Sequence, residues 1–414
     1  MTRLEGFKKL TNVDEALSVF LKTLKLKRLP ATRVPLKAAL NRVLAEDFIA
    51  ETDLPSFDRS AVDGYAVRAQ DSFEASQFNP KVLSLTENSQ IGKNEARQIW
   101  TGNALPKGAD AAVMLEYTKV VDDKIEVWKA VTPGENVSKK GEDIRKGEVA
   151  LKAGTRLKPH HLGLLGALGE THVSVVKRPK VAILSTGNEL VELGRTPKLC
   201  QVIDVNRLIL SSLCQELGAE PYDLGITKDD ADKIAEKIQE GLKQADVVIT
   251  TGGTSVGYAD LVPTAVNHIG KPGVIVHGVA MRPGMPTALA ILDRKPVFVL
   301  SGNPVASMIG FEVFARPVLL KLLGVEVEPR PVLKAKLTRR VSSELGRRVF
   351  LRVYAFEREG EFYAEPIRIK GSSILSTMTK ANGYVIIPEN CELLEKDEWV
   401  LVHLFDKVGG FEHA

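Results

Sequence analysis

Three stretches of this 414-residue chain place glycine and small hydroxyl residues directly behind an apolar run. Val181-Ala182-Ile183-Leu184 leads into Ser185-Thr186-Gly187-Asn188-Glu189. Asp246-Val247-Val248-Ile249 leads into Thr250-Thr251-Gly252-Gly253-Thr254-Ser255-Val256-Gly257. Pro296-Val297-Phe298-Val299-Leu300 leads into Ser301-Gly302-Asn303-Pro304. Glycine lets the backbone approach an oxyanion, and helix N-termini aim N–H groups at it. One such loop is only a turn. Three at one sheet edge make an anion site, because ligands of open parallel sheets bind beyond the carboxyl ends of the strands. The chain has neither Gly-x-Gly-x-x-Gly nor a Walker A motif, which sets aside dinucleotide and P-loop nucleotide binding.

Carboxylates follow the same loops: Glu189, Asp204 and Asp260. Beside a phosphate site they are what a hydrated Mg²⁺ would bridge. Asp260 lies three residues past Gly257, and there the metal role is favoured. Asp204 is equally a helix cap. Asp58 and Asp63 bracket a turn before Gly64 and, by themselves, read as turn formers. Arg282-Pro283-Gly284-Met285-Pro286 is a stiff turn with one cation, suited to an anionic ligand and equally to a plain surface turn. Lys370-Gly371-Ser372-Ser373 reads as an anion-binding nest or as a simple helix cap. His160 and His161 receive no role.

Elements that position these groups follow from apolar periodicity. Thr11 and Asp14 form a capping-box pattern ahead of a helix with Ala16, Leu17, Phe20, Leu21 and Leu24 on one face. Residues 80–132 carry short alternating segments, with a hairpin over Val120 to Trp128, and read as a small β-rich domain. Residues 156–170 have helical spacing and end at Gly169. Residues 204–217 form a helix stopped by Gly218, and Thr227 with Asp230 opens another. Alternation of these helices with the three buried strands implies a mostly parallel sheet covered on both faces. Asn303-Pro304 caps and starts a long helix that Pro317 bends or ends. Beyond Pro331 the pattern returns to strands at 333–341, 349–356, 362–369, 384–387 and 399–404, with a turn at Glu359-Gly360.

The bulk numbers exclude several classes. Apolar residues are 44% and charged residues 26%, which fits a packed soluble protein. A net charge of +4 gives no case for nucleic acid. No run approaches the roughly 18 apolar residues of a membrane helix. The N-terminus lacks a signal-peptide core. Three distant cysteines fit a reducing compartment, so a cytoplasmic protein is expected. Neither their spacing nor that of the seven histidines suggests zinc; carboxylates are the better metal ligands.

The motifs together resemble molybdopterin molybdenumtransferase, the MoeA-type metal-insertion enzyme of molybdenum-cofactor synthesis, also represented by the C-terminal region of gephyrin. The resemblance runs nearly end to end. It is carried by Pro55 to Ala66, by Thr101-Gly102 with Leu105-Pro106 and Gly108-Ala109-Asp110, and by Gly141-Glu142-Asp143. Ser185 to Leu190, Thr250 to Asp260 and Ser301 to Pro304 complete it. It implies a multidomain α/β chain. A central three-layer domain at 177–326 has a mostly parallel sheet. A small β-rich domain at 51–137 is inserted into an elongated N-terminal helical and linker region at 1–50 and 138–176. A β-barrel-like domain follows at 327–414.

The implied reaction is molybdenum insertion into adenylylated molybdopterin, with Mg²⁺-dependent hydrolysis releasing AMP. Asp58, Asp63, Thr101, Asp143, Glu189 and Asp260 are the implied catalytic set, with Glu189 and Asp260 on the metal. Thr186, Gly187, Gly252, Gly253, Thr254, Ser255, Ser301, Gly302, Asn303 and Pro304 would bind substrate phosphates. Arg282, Ser372 and Ser373 would catch molybdate, and tungstate is chemically close. The resemblance also implies a homodimer with the site at its interface and admits an adenylyltransferase partner. The sequence departs from the pattern at Met285 and Ser138, where the family has basic residues. It departs again at Cys200, a usual glycine, and at Val205, a usual Ser or Thr. Two other readings compete: a molybdopterin adenylyltransferase, which shares the Thr-Gly-Gly loop but not the flanking domains, and a non-catalytic cofactor-binding or scaffold paralogue.

Overall fold

The computed structural model describes residues 10–254, 260–326, 328–368 and 371–410. The chain folds as two compact units, Met1–Thr32 with Val176–Ala414, and Arg33–Val175.

The first unit is built on a six-stranded sheet. Its strands are β1 (Lys180–Thr186), β2 (Glu220–Thr227), β3 (Val247–Thr251), β4 (Gly273–His277), β5 (Ala288–Leu292) and β6 (Lys295–Leu300). Their order is β2-β1-β3-β6-β5-β4. The first four are parallel, and β5 and β4 pair antiparallel at the far edge. Successive side chains of a strand point to opposite faces. Val181 and Ile183 accordingly enter one core, and Ala182 and Leu184 enter the other.

Helices cover both faces, as that double burial requires. On one side lie α1 (Val13–Leu24) and α2 (Asn206–Leu217); Phe20 of α1 meets Phe298 of β6 edge-on at 5.5 Å. On the other lie α3 (Ala231–Gln244) and α4 (Leu261–Ile269). The first helix buries Ala16, Phe20 and Leu24, as its spacing predicts. Its cap is Asn12 rather than Thr11: the Asn12 side chain accepts the Asp14 N–H. Asp230 caps α3, accepting from Asp232 and Lys233, whereas Thr227 ends β2.

Pro304 begins α5 (Pro304–Gly310), which runs through a π turn at Phe311–Ala315 into α6 (Arg316–Leu322). Pro317 therefore does not end the helix. Proline lacks an N–H and crowds the carbonyl four residues back; the wider π turn just before it accommodates both. Asn303 occupies the cap position, but its side chain makes no capping hydrogen bond.

Five strands close a barrel: β7 (Val332–Leu337), β8 (Arg348–Arg358), β9 (Glu361–Arg368), β10 (Gly383–Ile387) and β11 (Trp399–Leu404). The path β8-β9-β7-β11-β10 returns to β8, which leaves none of the five with an open edge. Ala335, Leu337, Leu351, Val353 and Val402 fill the interior. The β8–β9 turn is made by Glu359 and Gly360, both at positive φ.

The second unit carries a six-stranded, mostly antiparallel sheet from residues 64–127. Tyr65, Val67, Leu83, Val113 and Ile125 are its core. The expected hairpin is Thr118–Val121 with Lys124–Val127, turning at Asp122. The helix Pro159–Ala167 packs Leu165 against Ala39, Leu44 and Val175. Among the described residues no helix is long and apolar enough to cross a membrane.

Candidate functional site

Parallel pairing of β1, β3 and β6 puts their carboxyl ends side by side. The three glycine loops therefore converge, although residues 186 and 302 are far apart in sequence. They line one cleft of about 1040 Å³, to which Thr186, Gly187, Gly252, Gly253, Thr254, Ser301, Gly302, Asn303 and Pro304 all contribute. The approach of the loops is backbone to backbone. A Cβ on Gly252 would lie 2.2 Å from the Thr186 carbonyl oxygen, and Gly252 sits at φ +91°. Only glycine fits there without moving the neighbouring loop.

The cleft is rich in unused polar atoms. Ser185 and Thr186 are buried, and among the described residues neither hydroxyl has a hydrogen-bond partner. Nor does the Oδ1 of Asn206. Buried polar groups are almost always paired, so three orphans at one cleft point to a ligand that completes them.

Of the expected acidic residues, Glu189 lines the cleft. Asp260 does not line it. It stands at the N-terminus of α4, does not cap that helix with its side chain, and has its Oδ1 3.9 Å from His277 Nε2. Ser255 lies outside the described residues, as does Lys370. Ser373 lines the cleft, and the Ser372 carbonyl accepts the Val305 N–H at the start of α5. Arg282 is not on the cleft wall; it pairs with Glu344 at 2.7 Å. Asp204 is not a free carboxylate. Its Oδ2 accepts from Arg207 Nε at 2.6 Å, and its Oδ1 accepts the Asn206 and Arg207 N–H groups. Among the described residues, no three His, Cys, Asp or Glu side chains converge as a metal cluster.

The remaining expected residues belong to the second unit. Asp63 Oδ1 accepts from both the N–H and the hydroxyl of Thr101, each at 2.7 Å. These bonds, the N–H first, hold the Asp63 carboxyl below its ordinary value. Asp58 Oδ1 accepts the Lys140 N–H at 2.7 Å. The Asp143 N–H donates to Leu54 O, and Ser138 pairs with Arg59 across a short two-stranded ladder.

Two cleft residues escape the sequence reading. Asp229 lines the cleft and exchanges hydrogen bonds with Asn188, each 3.3 Å. Its position just past the end of β2 is the available signal. Asn206 reads only as part of a helix. Its role depends on contacts 45 and 96 residues away.

Two departures from the family pattern acquire a physical reading. Cys200 holds φ +66°, the left-handed conformation that glycine adopts freely. Val205 occupies the N-cap of α2 and cannot cap it; Asp204, one residue earlier, does so instead.

Comparison with known proteins agrees with this architecture. Residues 11–169 match the model of the MoeA N-terminal region (domain I and II). Residues 182–321 match the "Probable molybdopterin binding domain", and residues 334–405 the MoeA C-terminal region (domain IV). A putative molybdopterin biosynthesis protein of Methanocaldococcus jannaschii is 42% identical over 379 residues, 90% of this chain and 91% of its own. The molybdopterin molybdenumtransferase of Bacillus subtilis is 35% identical, over 92% of this chain and 91% of its own. A crystal structure of the molybdopterin biosynthesis MoeA protein of Pyrococcus horikoshii covers 96% of this chain and 100% of its own, with TM-score 0.82 and 34% identity. With the same succession of regions, the same fold and relatives matched along nearly their whole length, this chain belongs to the MoeA family, the family of the molybdopterin molybdenumtransferases.

Proposed function

We propose that this enzyme inserts molybdenum into adenylylated molybdopterin. The observation that carries the reading is the cleft itself: three glycine loops with orphaned Ser185 and Thr186 hydroxyls, open at the sheet edge. A substrate with two linked phosphates matches it, because glycine admits the phosphates and hydroxyls and N–H groups donate to them. Molybdate arrives as the second substrate; its molybdenum binds the two dithiolene sulfurs of molybdopterin, and one oxo group leaves as water with the two thiol protons. Of the three residues expected to catch molybdate, Ser373 is the one on the cleft wall. Arg282 stands off the cleft wall, paired with Glu344.

Hydrolysis of the pyrophosphate link adds the elements of water across one P–O bond and frees AMP. Glu189 and Asp229 are the carboxylates on the cleft wall, and Asp260 follows the second loop. Mg²⁺ usually takes one or two carboxylates and completes its shell with water and substrate phosphate, so the two cleft-wall carboxylates, Glu189 and Asp229, fit it. When bound there, it would supply charge for the phosphate oxygens. Asp58, Asp63, Thr101 and Asp143 lie in the other unit, and we place them in the reaction through a homodimer in which one copy completes the cleft of the other.

The retained acidic set favours catalysis over a scaffold, because capture of an anion alone gains nothing from added negative charge. The test is direct. Purified protein is given adenylylated molybdopterin, molybdate and Mg²⁺, and AMP is followed by chromatography; tungstate replaces molybdate in a parallel run. AMP release that needs both oxyanion and protein is expected. Substrate bound without AMP above background would leave the scaffold reading in its place.

A further inference from the structure

We infer that Asn206 is the positioning residue that sets the spacing between the second and third cleft loops, and that it does so through its two amide N–H groups. The inference rests on the cleft being the substrate site proposed above. Asn206 is the first residue of α2 and is buried, with 7% of its surface exposed. Its Nδ2 donates to Thr251 Oγ1 at 2.8 Å and to the Gly302 carbonyl at 2.8 Å. One side chain therefore ties the end of β3 to the loop after β6.

The amide orientation is forced. The Gly302 carbonyl can only accept. Thr251 Oγ1 donates its own hydrogen to the Ser301 carbonyl at 2.9 Å, so toward Asn206 it must accept. Both partners demand donors, and Asn offers two N–H groups from one atom. Asp offers none when ionised, and Ser or Thr offers one. The loops it joins are packed closely: a Cβ on Gly302 would lie 3.4 Å from Gly252 Cα.

The tie is itself anchored. Asp204 Oδ1 accepts the Asn206 N–H at 3.1 Å. Arg207, next along the helix, binds Asp204, Asp223 and Glu192 and so joins the start of α2 to β2 and to the segment after β1. A phosphate held between the second and third loops, as that of AMP would be, requires those loops at a constant separation. A positional error of about 1 Å is enough to cost a site much of its efficiency.

The experiment measures AMP binding by calorimetry for the wild type, N206A and N206D at pH 8 and pH 5.5, with circular dichroism to confirm folding. At pH 8 both variants are expected to bind at least about ten-fold more weakly than wild type. Burial against two acceptors favours the neutral form of the carboxyl that N206D introduces. Lowering the pH to 5.5 raises the protonated fraction of that carboxyl, which supplies one O–H donor, so N206D should regain at least about three-fold in affinity relative to wild type while N206A does not. The titratable groups around this position are Asp204, neutralised by Arg207, and Glu189 and Asp229 on the cleft wall, and they are common to all three proteins. T251V, which removes one acceptor and leaves Asn206 intact, should weaken AMP binding about three-fold and guards against misfolding of the first two.

Unchanged affinity in N206A and T251V overturns the inference, and so does equal loss in N206A and N206D at both pH values. Either result leaves the proposed function standing, because the wild type still binds. No AMP binding by the wild type overturns this inference; the proposed function falls only if no AMP is released from adenylylated molybdopterin.

Discussion

Arg207 and Asp204 form an ion pair through Nε and Oδ2 at 2.6 Å, and the Asp204 side chain is only 2% exposed. Arg207 also reaches Asp223 and Glu192, whose side chains are 65% and 57% exposed. Burial works against the guanidinium charge, but its hydrogen bonds to Asp204, Asp223 and Glu192 outweigh that and hold the Arg207 pKa above its ordinary value.

The three carboxylates should therefore contribute unequally. Arg207→Ala strands a buried carboxylate, which typically costs about 3–5 kcal/mol. Glu192→Gln loses an exposed pair, about 0–1 kcal/mol. Thermal or urea unfolding of the two variants checks this. Equal losses would mean that burial of Asp204 is not what matters.

Gly252→Ala should damage the cleft more than the fold. The new Cβ meets the Thr186 carbonyl at 2.2 Å, and φ +91° is unfavourable for alanine by roughly 1–2 kcal/mol. The first and second loops must separate. A fall of more than about ten-fold in AMP affinity, with near-native circular dichroism, is the expected result. Affinity within about twofold of wild type would show that the loop spacing tolerates the shift.

Thr101 should control the acidity of Asp63. Its N–H and its hydroxyl both lower the Asp63 pKa from the ordinary 3.8. The stabilisation from these bonds is fully present above 3.8 and is lost as pH falls through the lowered folded value. Thr101→Val removes the hydroxyl and keeps the N–H. The Asp63 pKa should rise part of the way to 3.8, shifting that loss to higher pH. Carboxyl-detected NMR titration reads this directly, and an unmoved pKa would remove the hydroxyl from the account.

The cysteines should differ sharply in reactivity. Cys200 is exposed, whereas Cys214 is buried in α2 and burial pushes its thiol up to about 12. The thiolate is the reactive form. Iodoacetamide at pH 8 should therefore alkylate Cys200 and spare Cys214 in the native protein, with both modified after denaturation. Peptide mass spectrometry distinguishes the two, and native labelling of Cys214 would reveal opening of the helical layer.

Much of this architecture is local and legible in the chain. The apolar runs at 181–184, 247–250 and 297–300 are strands because their residues are β-branched, aromatic or apolar and lead into glycine loops. Their alternation with helices implies the parallel sheet. Glu359-Gly360 and Asp122-Asp123 turn because two adjacent residues suffice to make a turn. The convergence of three glycine loops also follows once the strands are parallel.

Tertiary structure decided what depends on distant partners. Asp204 reads equally as metal ligand or cap until Arg207 claims it. Asn206 has no readable role in the sequence, because its two acceptors come from other loops. Pro317 reads as a bend or an end, yet packing of Phe311, Phe314 and Val318 holds the helix through it with a π turn. The strands of 332–404 specify a β domain, but closure comes only from β8 pairing on both its edges. The reason is common to all four. A turn or strand is set by the residues within it, whereas the partner of a buried polar group or a free strand edge is set by whatever the fold brings beside it.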